Sequence, residues 1–195
     1  MKKSKDINTL KVVTTIICFV LALPIMAQKI KKDKKMKNYY FETQINVPVD
    51  SINLYEWLTE MTDIEYQSFA KGHKAMGHTK DGDFGGMVNV ESIGGNLLVQ
   101  HYKIIEAKNN FVNLRSEKTR AYIFHLIPVN IEVTWSLKVI GVSKEKSEFI
   151  CEVSVKYPVK LLKWASSITG SSFFIKRHVR KEGDLFAKDI EKKFQ

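Results

Sequence analysis

Cysteine is almost missing from this 195-residue chain: there are two, Cys18 and Cys151. Cys18 lies inside an apolar leader and lacks the small residues that precede a lipidated cysteine. Removal of that leader leaves one thiol, so no intrachain disulfide can hold the fold. Stability must then come from the core, with Cys151 as a small buried hydrophobe. The spacings that announce a metal site are also missing, since there are no paired cysteines and no His-x-x-x-His. His73 and His78, five apart, would face opposite sides of one strand and cannot chelate together. No metal and no cofactor is therefore expected. The chain has no phosphate loop, no dinucleotide fingerprint and no nucleophile elbow, which counts against the enzyme classes that need them.

Basic charge is plentiful, but it is unevenly placed. Of the net +10, residues 1–28 carry +3 and residues 29–37 carry +5, leaving +2 for everything after Lys37. A domain that binds nucleic acid concentrates its charge on the folded body. Here the excess sits in the tail, so nucleic acid is not the expected partner.

Residues 1–27 read as a signal peptide. Lys2, Lys3, Lys5 and Lys11 precede Val12–Ala27, an uncharged run of 16 residues. A spanning helix needs about 20 apolar residues. Ala27 offers a cut ahead of Gln28, which implies an exported, periplasmic or secreted protein. Ile25 is a poor residue for the −3 position, and an uncleaved N-terminal anchor is the alternative. Residues 28–37 form a lysine-rich linker, solvated and able to rest on anionic headgroups if held near a bilayer.

The remainder, 38–195, reads as one α+β domain. Tyr39–Val47 alternates Phe41, Thr43, Ile45 and Val47 with polar residues, the pattern of a half-buried strand. Pro48 ends it. Asp50 or Ser51 is placed to cap a helix bearing Leu54, Trp57, Leu58 and Met61. A second short helix over Asp63–Ala70 offers Ile64, Tyr66 and Phe69 as contacts. From His73 to Tyr157 the chain is strands and turns, broken at Lys80–Asp83, Gly94–Asn96, Lys108–Asn110, Pro128 and Ser143–Lys146. Ile131, Val133, Trp135, Leu137 and Val139 share one face, as do Phe149, Cys151, Val153, Val155 and Tyr157. Such a face must be covered. The cover is a final helix, capped by Ser171 or Ser172, with Ile175, Val179, Gly183, Phe186, Ile190 and Phe194 on one stripe. Gly183 on that stripe provides either close helix–sheet contact or room for a ligand.

This order of elements resembles the helix-grip fold of the START-like (SRPBCC) superfamily, which includes polyketide cyclases and dehydrases, lipid-transfer domains and plant allergens. The likeness is carried by Ile45-Asn46-Val47-Pro48 leading into the Trp57-Leu58 helix, and by Glu182-Gly183-Asp184-Leu185-Phe186-Ala187. It implies a curved antiparallel sheet of six or seven strands around a long C-terminal helix, with a cavity for a hydrophobic or lipid-like molecule. The scaffold does not fix the chemistry.

On that basis the ligand would lie between the helix residues Gly183, Phe186 and Ile190 and the sheet residues Trp135, Leu137, Phe149 and Val153. The alternative is a cyclase- or dehydratase-like enzyme. Glu91, His101 and Arg115 would supply an acid–base pair steered by a cation if they meet in a cavity. They would be ordinary cross-strand pairs if they lie on the wet face, and alternation does not choose between the two. Tyr102, sharing a face with Leu98, Gln100 and Ile104, is a further proton carrier. His178, next to Val179, is expected at the helix flank. Residues 160–168, with Leu161, Leu162, Trp164 and Ile168 among lysines, form either a membrane-touching lip or the lead-in to the last helix. A third reading, an interaction partner without a small ligand, holds if the interior proves filled.

Overall fold

The computed structural model describes residues 36–160 and 170–195. Within them a seven-stranded antiparallel sheet runs in the order β1-β7-β6-β5-β4-β3-β2. The strands are β1 (Met36–Ile45), β2 (His73–Thr79), β3 (Gly86–Ile93), β4 (Asn96–Lys108), β5 (Phe111–Ile123), β6 (Ile127–Gly141) and β7 (Ser147–Lys156). Helices α1 (Leu54–Glu60) and α2 (Asp63–Phe69) follow β1, and α3 (Ser171–Phe194) ends the chain. This is the curved-sheet, long-helix architecture of the helix-grip fold. The first strand starts at Met36, two residues inside the expected linker.

The sheet is a meander from β2 to β7, closed at its far edge by β1, which pairs antiparallel with β7. Its turns follow local chemistry. Gly94 and Gly95 both take positive φ (57° and 79°) in the two-residue hairpin that joins Ile93 to Asn96, a conformation that glycine adopts without strain. The β5–β6 turn is different. It lies at Phe124–Leu126 rather than at Pro128, and its left-handed residues are Phe124 and His125. Pro128 sits in β6 opposite Tyr122. A bulge between Ser116 and Thr119 shifts the β5 register and bends the long strands. Both side chains are buried there, and Thr119 Oγ1 donates to Ser116 Oγ at 2.8 Å.

The helices are tied to the sheet by specific caps and aromatic contacts. A 3-10 turn at Val49–Ser51 displaces the expected cap of α1 to Asn53, whose side chain accepts from Glu56 N at 3.1 Å. Thr62 and Glu65 form a reciprocal capping box on α2, satisfying two backbone donors. Tyr66 and Phe69 face inward, but Ile64 is 81% exposed. Phe186 of α3 packs against Trp57, Phe69 and Trp135 at ring separations of 5.2, 4.9 and 5.7 Å. Trp57 Nε1 donates to Asp189 Oδ2 at 2.8 Å. Among the described residues no helix is long and apolar enough to cross a membrane. Residues 1–27, most of the lysine-rich linker, and 161–168 of the basic amphipathic stretch lie outside the described residues.

Candidate functional site

Between the first half of α3 and the sheet lies a cavity of about 70 Å³. Its walls are mainly apolar: Val133 and Trp135 from β6, Val153 and Val155 from β7, and Ile175 and Val179 from α3. The lining from β3, β4 and α3 adds the polar Asn89, Glu91, Gln100, Tyr102, His178 and Glu182, beside Ile93 and Leu98.

That polar lining comes from an inversion of the usual strand pattern. On β3 the polar Asn89 and Glu91 are buried beside Met87 and Ile93, while Val88 and Val90 point to the less buried face. Burying a carboxylate costs several kcal/mol unless partners compensate. Here the partners come from other elements. Tyr66 of α2 donates its hydroxyl to Glu91 Oε1, and Asn89 Nδ2 donates to the same oxygen at 3.0 Å and to the Tyr66 hydroxyl at 2.8 Å. The His73 ring stacks on Tyr66 at 3.9 Å, and His73 Nδ1 donates to the Tyr66 carbonyl at 2.6 Å. The other ring nitrogen, Nε2, stands 3.0 Å from Glu182 Oε1. From α3, His178 Nε2 is 3.8 Å from Glu91 Oε2 and 3.8 Å from Glu182 Oε2.

The charges in this cluster act strongly on one another. Burial and the negative Glu182 push the Glu91 carboxyl up, against the pull of His178, His73 and the Tyr66 hydroxyl. Burial opposes ionisation of Glu182 too, but His178 and His73 hold its carboxyl below the ordinary value. Burial alone would lower the His73 imidazole, yet Glu182, Glu91 and the Tyr66 carbonyl raise it. Burial and the same carboxylates push the Tyr66 and Tyr102 phenols well up. Several polar atoms here are buried without a hydrogen-bond partner: His73 Nε2, His178 Nε2, Asn89 Oδ1 and Gln100 Oε1. Buried polar groups normally find partners. Chemically, the imidazole–carboxylate pairs can hold or pass a proton, and the four donor atoms could hold an ion.

The residues singled out in the sequence are divided by the structure. Glu91 and Tyr102 face the cavity. His101 is exposed on the opposite face, and Arg115 pairs with Glu132 at 2.7 Å there, so the proposed meeting of Glu91, His101 and Arg115 does not occur. Alternation sends His101 outward once Gln100 and Tyr102 point in. Trp135 and Val153 line the cavity, whereas Leu137, Phe149, Phe186 and Ile190 are wholly buried in solid core. Gly183 serves close packing rather than a ligand: a Cβ there would lie 2.4 Å from Phe41 Cδ1. His178, expected at the flank, points into the cavity. Sequence reasoning missed His73, Tyr66 and Glu182. The available signal was His178-x-x-x-Glu182, two ligating side chains on one helical face, with Glu182 next to the buried stripe.

No family model matches this chain, and no curated protein does. Among solved structures it is similar to a conserved protein from Geobacillus kaustophilus, with 11% identity, coverage of 82% of this chain and 98% of that one, and a TM-score of 0.53. It also matches a START superfamily protein from Mycobacterium smegmatis (10% identity, 80% and 96% coverage, TM-score 0.44). A third match is a major latex-like protein from Panax ginseng (12% identity, 74% and 97% coverage, TM-score 0.45). What the likeness to the Geobacillus protein shows is a shared fold.

Proposed function

We propose that this START-like chain binds a small amphipathic molecule, with an apolar body and one polar end, in the cavity between α3 and the sheet. The observation that carries this reading is the mixed lining of the cavity: aliphatic and indole walls together with buried polar groups, of which Gln100 Oε1 and Asn89 Oδ1 lack partners. A ligand donor placed there gains a hydrogen bond and relieves a buried acceptor, while its apolar part gains about 25 cal/mol per Å² buried. The protein works outside the cytoplasm, a placement supported by the lysine-led apolar segment at residues 1–27. Finding it in the cytoplasm of its source cells with that segment intact would remove this part.

Binding is tested by thermal shift and calorimetry with short amphipathic alcohols, amides and acids. A rise of several degrees in melting temperature is expected, lost or cut about tenfold in affinity in Gln100→Leu. A broad panel giving no shift would sink the proposal. An enzyme reading draws on one observation, the cavity-facing Glu91 and His178 beside Tyr102. Its mark would be turnover of a bound compound, abolished in Glu91→Gln with binding retained.

A further inference from the structure

We infer that His73, Glu91, His178 and Glu182 form a site for one divalent first-row transition ion, with Zn²⁺ the ion this donor set suits best. Each residue offers one ligand atom, and the four atoms lie within 4.8 Å of one another. Bonds of 2.0–2.1 Å in a tetrahedral site put donors about 3.3 Å apart. Here His73 Nε2 is 3.0 Å from Glu182 Oε1, His178 Nε2 is 3.8 Å from Glu91 Oε2 and from the other Glu182 oxygen, and every donor pair of the set lies within 4.8 Å, so the side chains close in slightly on an ion.

Three further features favour an ion over a plain ion-pair network. First, both histidine Nε2 atoms are buried without a hydrogen-bond partner. His73 Nε2 stands 3.0 Å from Glu182 Oε1 as an ion pair, but the approach is off the direction of a ring N–H. A protonated histidine paired to a carboxylate would align its N–H on the oxygen. Second, the outer partners are those a metal site requires. His73 Nδ1 donates to a backbone carbonyl, which leaves the Nε2 lone pair free, and Tyr66 and Asn89 both engage Glu91 Oε1, which leaves Oε2 free toward His178. Third, one divalent ion balances two buried carboxylates with both imidazoles neutral, the form in which they ligate. Two imidazoles with two carboxylates suit Zn²⁺ or its neighbours and not Mg²⁺ or Ca²⁺, which take oxygen.

Glu91, His178 and Glu182 also line the cavity, while His73 does not. An ion held here therefore faces the cavity, and a five-coordinate ion offers its open position to an oxygen of the molecule inside. This last step rests on the cavity reading above; the ion site does not.

The test uses untagged full-length protein stripped with a chelator, then titrated with Zn²⁺ against a chromophoric competitor, with bound metal counted by mass spectrometry. One equivalent per chain is expected. Affinity should fall at least tenfold in Glu182→Gln and in His178→Ala, and about tenfold in Tyr66→Phe, which keeps all four donors but frees Glu91. Co²⁺ should load with visible absorption that Zn²⁺ erases. If Glu182→Gln does not fold, His178→Ala and the wild-type Co²⁺ spectrum decide. Less than a tenth of an equivalent, or unchanged binding in the folded variants, overturns the site. Acetohydroxamate should change the Co²⁺ spectrum; no change with full metal loading overturns the cavity-facing position alone. A ligand panel that fails with and without metal removes the proposed function and leaves the ion site standing.

Discussion

Gly183 shows how one residue can be set by its neighbour across the sheet. Alanine is better in a helix by about 1 kcal/mol, yet a methyl group here meets the Phe41 ring at 2.4 Å. Overpacking of this kind costs about 1–3 kcal/mol. Gly183→Ala should therefore lower stability by about 1 kcal/mol in denaturant titration, and Phe41→Leu in the same chain should restore it. If the double variant shows no coupling, the contact is not the reason for the glycine. Cys151 makes a second case. Burial and the Glu182 charge push its thiol far above the usual 9.0, against a hydrogen bond from Trp135 Nε1. The Tyr39 and Tyr102 phenols are also raised by burial. These groups stay protonated in the folded state while an unfolded chain ionises, so their contribution is whole below the unfolded values and falls as pH rises past them. Melting temperature should decline from about pH 9 upward. In a Cys18→Ser background the remaining thiol should resist a disulfide reagent near pH 8 until denaturant is added; rapid modification of the folded protein would contradict the burial.

At the scale of elements, α2 matters beyond its seven residues. It carries Tyr66, whose hydroxyl, ring and carbonyl all engage the buried cluster. Its own start depends on Thr62, which accepts from Glu65 N at 3.2 Å while Glu65 Oε2 accepts from Thr62 N at 2.7 Å. Thr62→Ala should cost about 1 kcal/mol and speed amide exchange over residues 63–69 more than in β5 or β6. Uniform acceleration across the molecule would mean that α2 does not open by itself. The same element explains what was legible. A short helix was expected over Asp63–Ala70 and is there, while alternation made the β6 and β7 faces readable, and they pair Val133 with Val155 and Leu137 with Cys151 as their patterns require. Ile64 was misjudged because a seven-residue helix lying on a sheet edge buries only a narrow stripe. Pro128 was misjudged because a proline near the start of a strand loses little pairing.

For the whole molecule, cavity size decides which ligands are plausible. About 70 Å³ is well under the roughly 150 Å³ that admits benzene in an engineered protein cavity, or the roughly 300 Å³ of ordinary drug-sized pockets. Long lipids would need α3 or the β5–β6 turn to move. Exposed apolar side chains stand in that turn, Phe124 and Leu126, and at the start of α3, Phe173. In a homologous series of straight-chain primary alcohols, which carry the donor the unpartnered oxygens want, stabilisation should therefore peak among short members and fall in the longest chains. Strongest stabilisation by the longest chains, with faster exchange over residues 171–179, would show that the cavity expands.

The amino-acid order by itself determined the succession of strands and helices, because periodicity, turn residues and caps act over short distances along the chain; the helix-grip layout was what the resemblance of that succession implied. It also determined that α3 presents an apolar stripe to the sheet. Only the tertiary structure decided the face of β3, the filling of the core around Phe149 and Phe186, and the meeting of His73, Glu91, His178 and Glu182. Those four stand on β2, β3 and α3, up to 109 positions apart. Alternation states which residues share a face; whether that face is dry, wet or lined with charge depends on what packs against it.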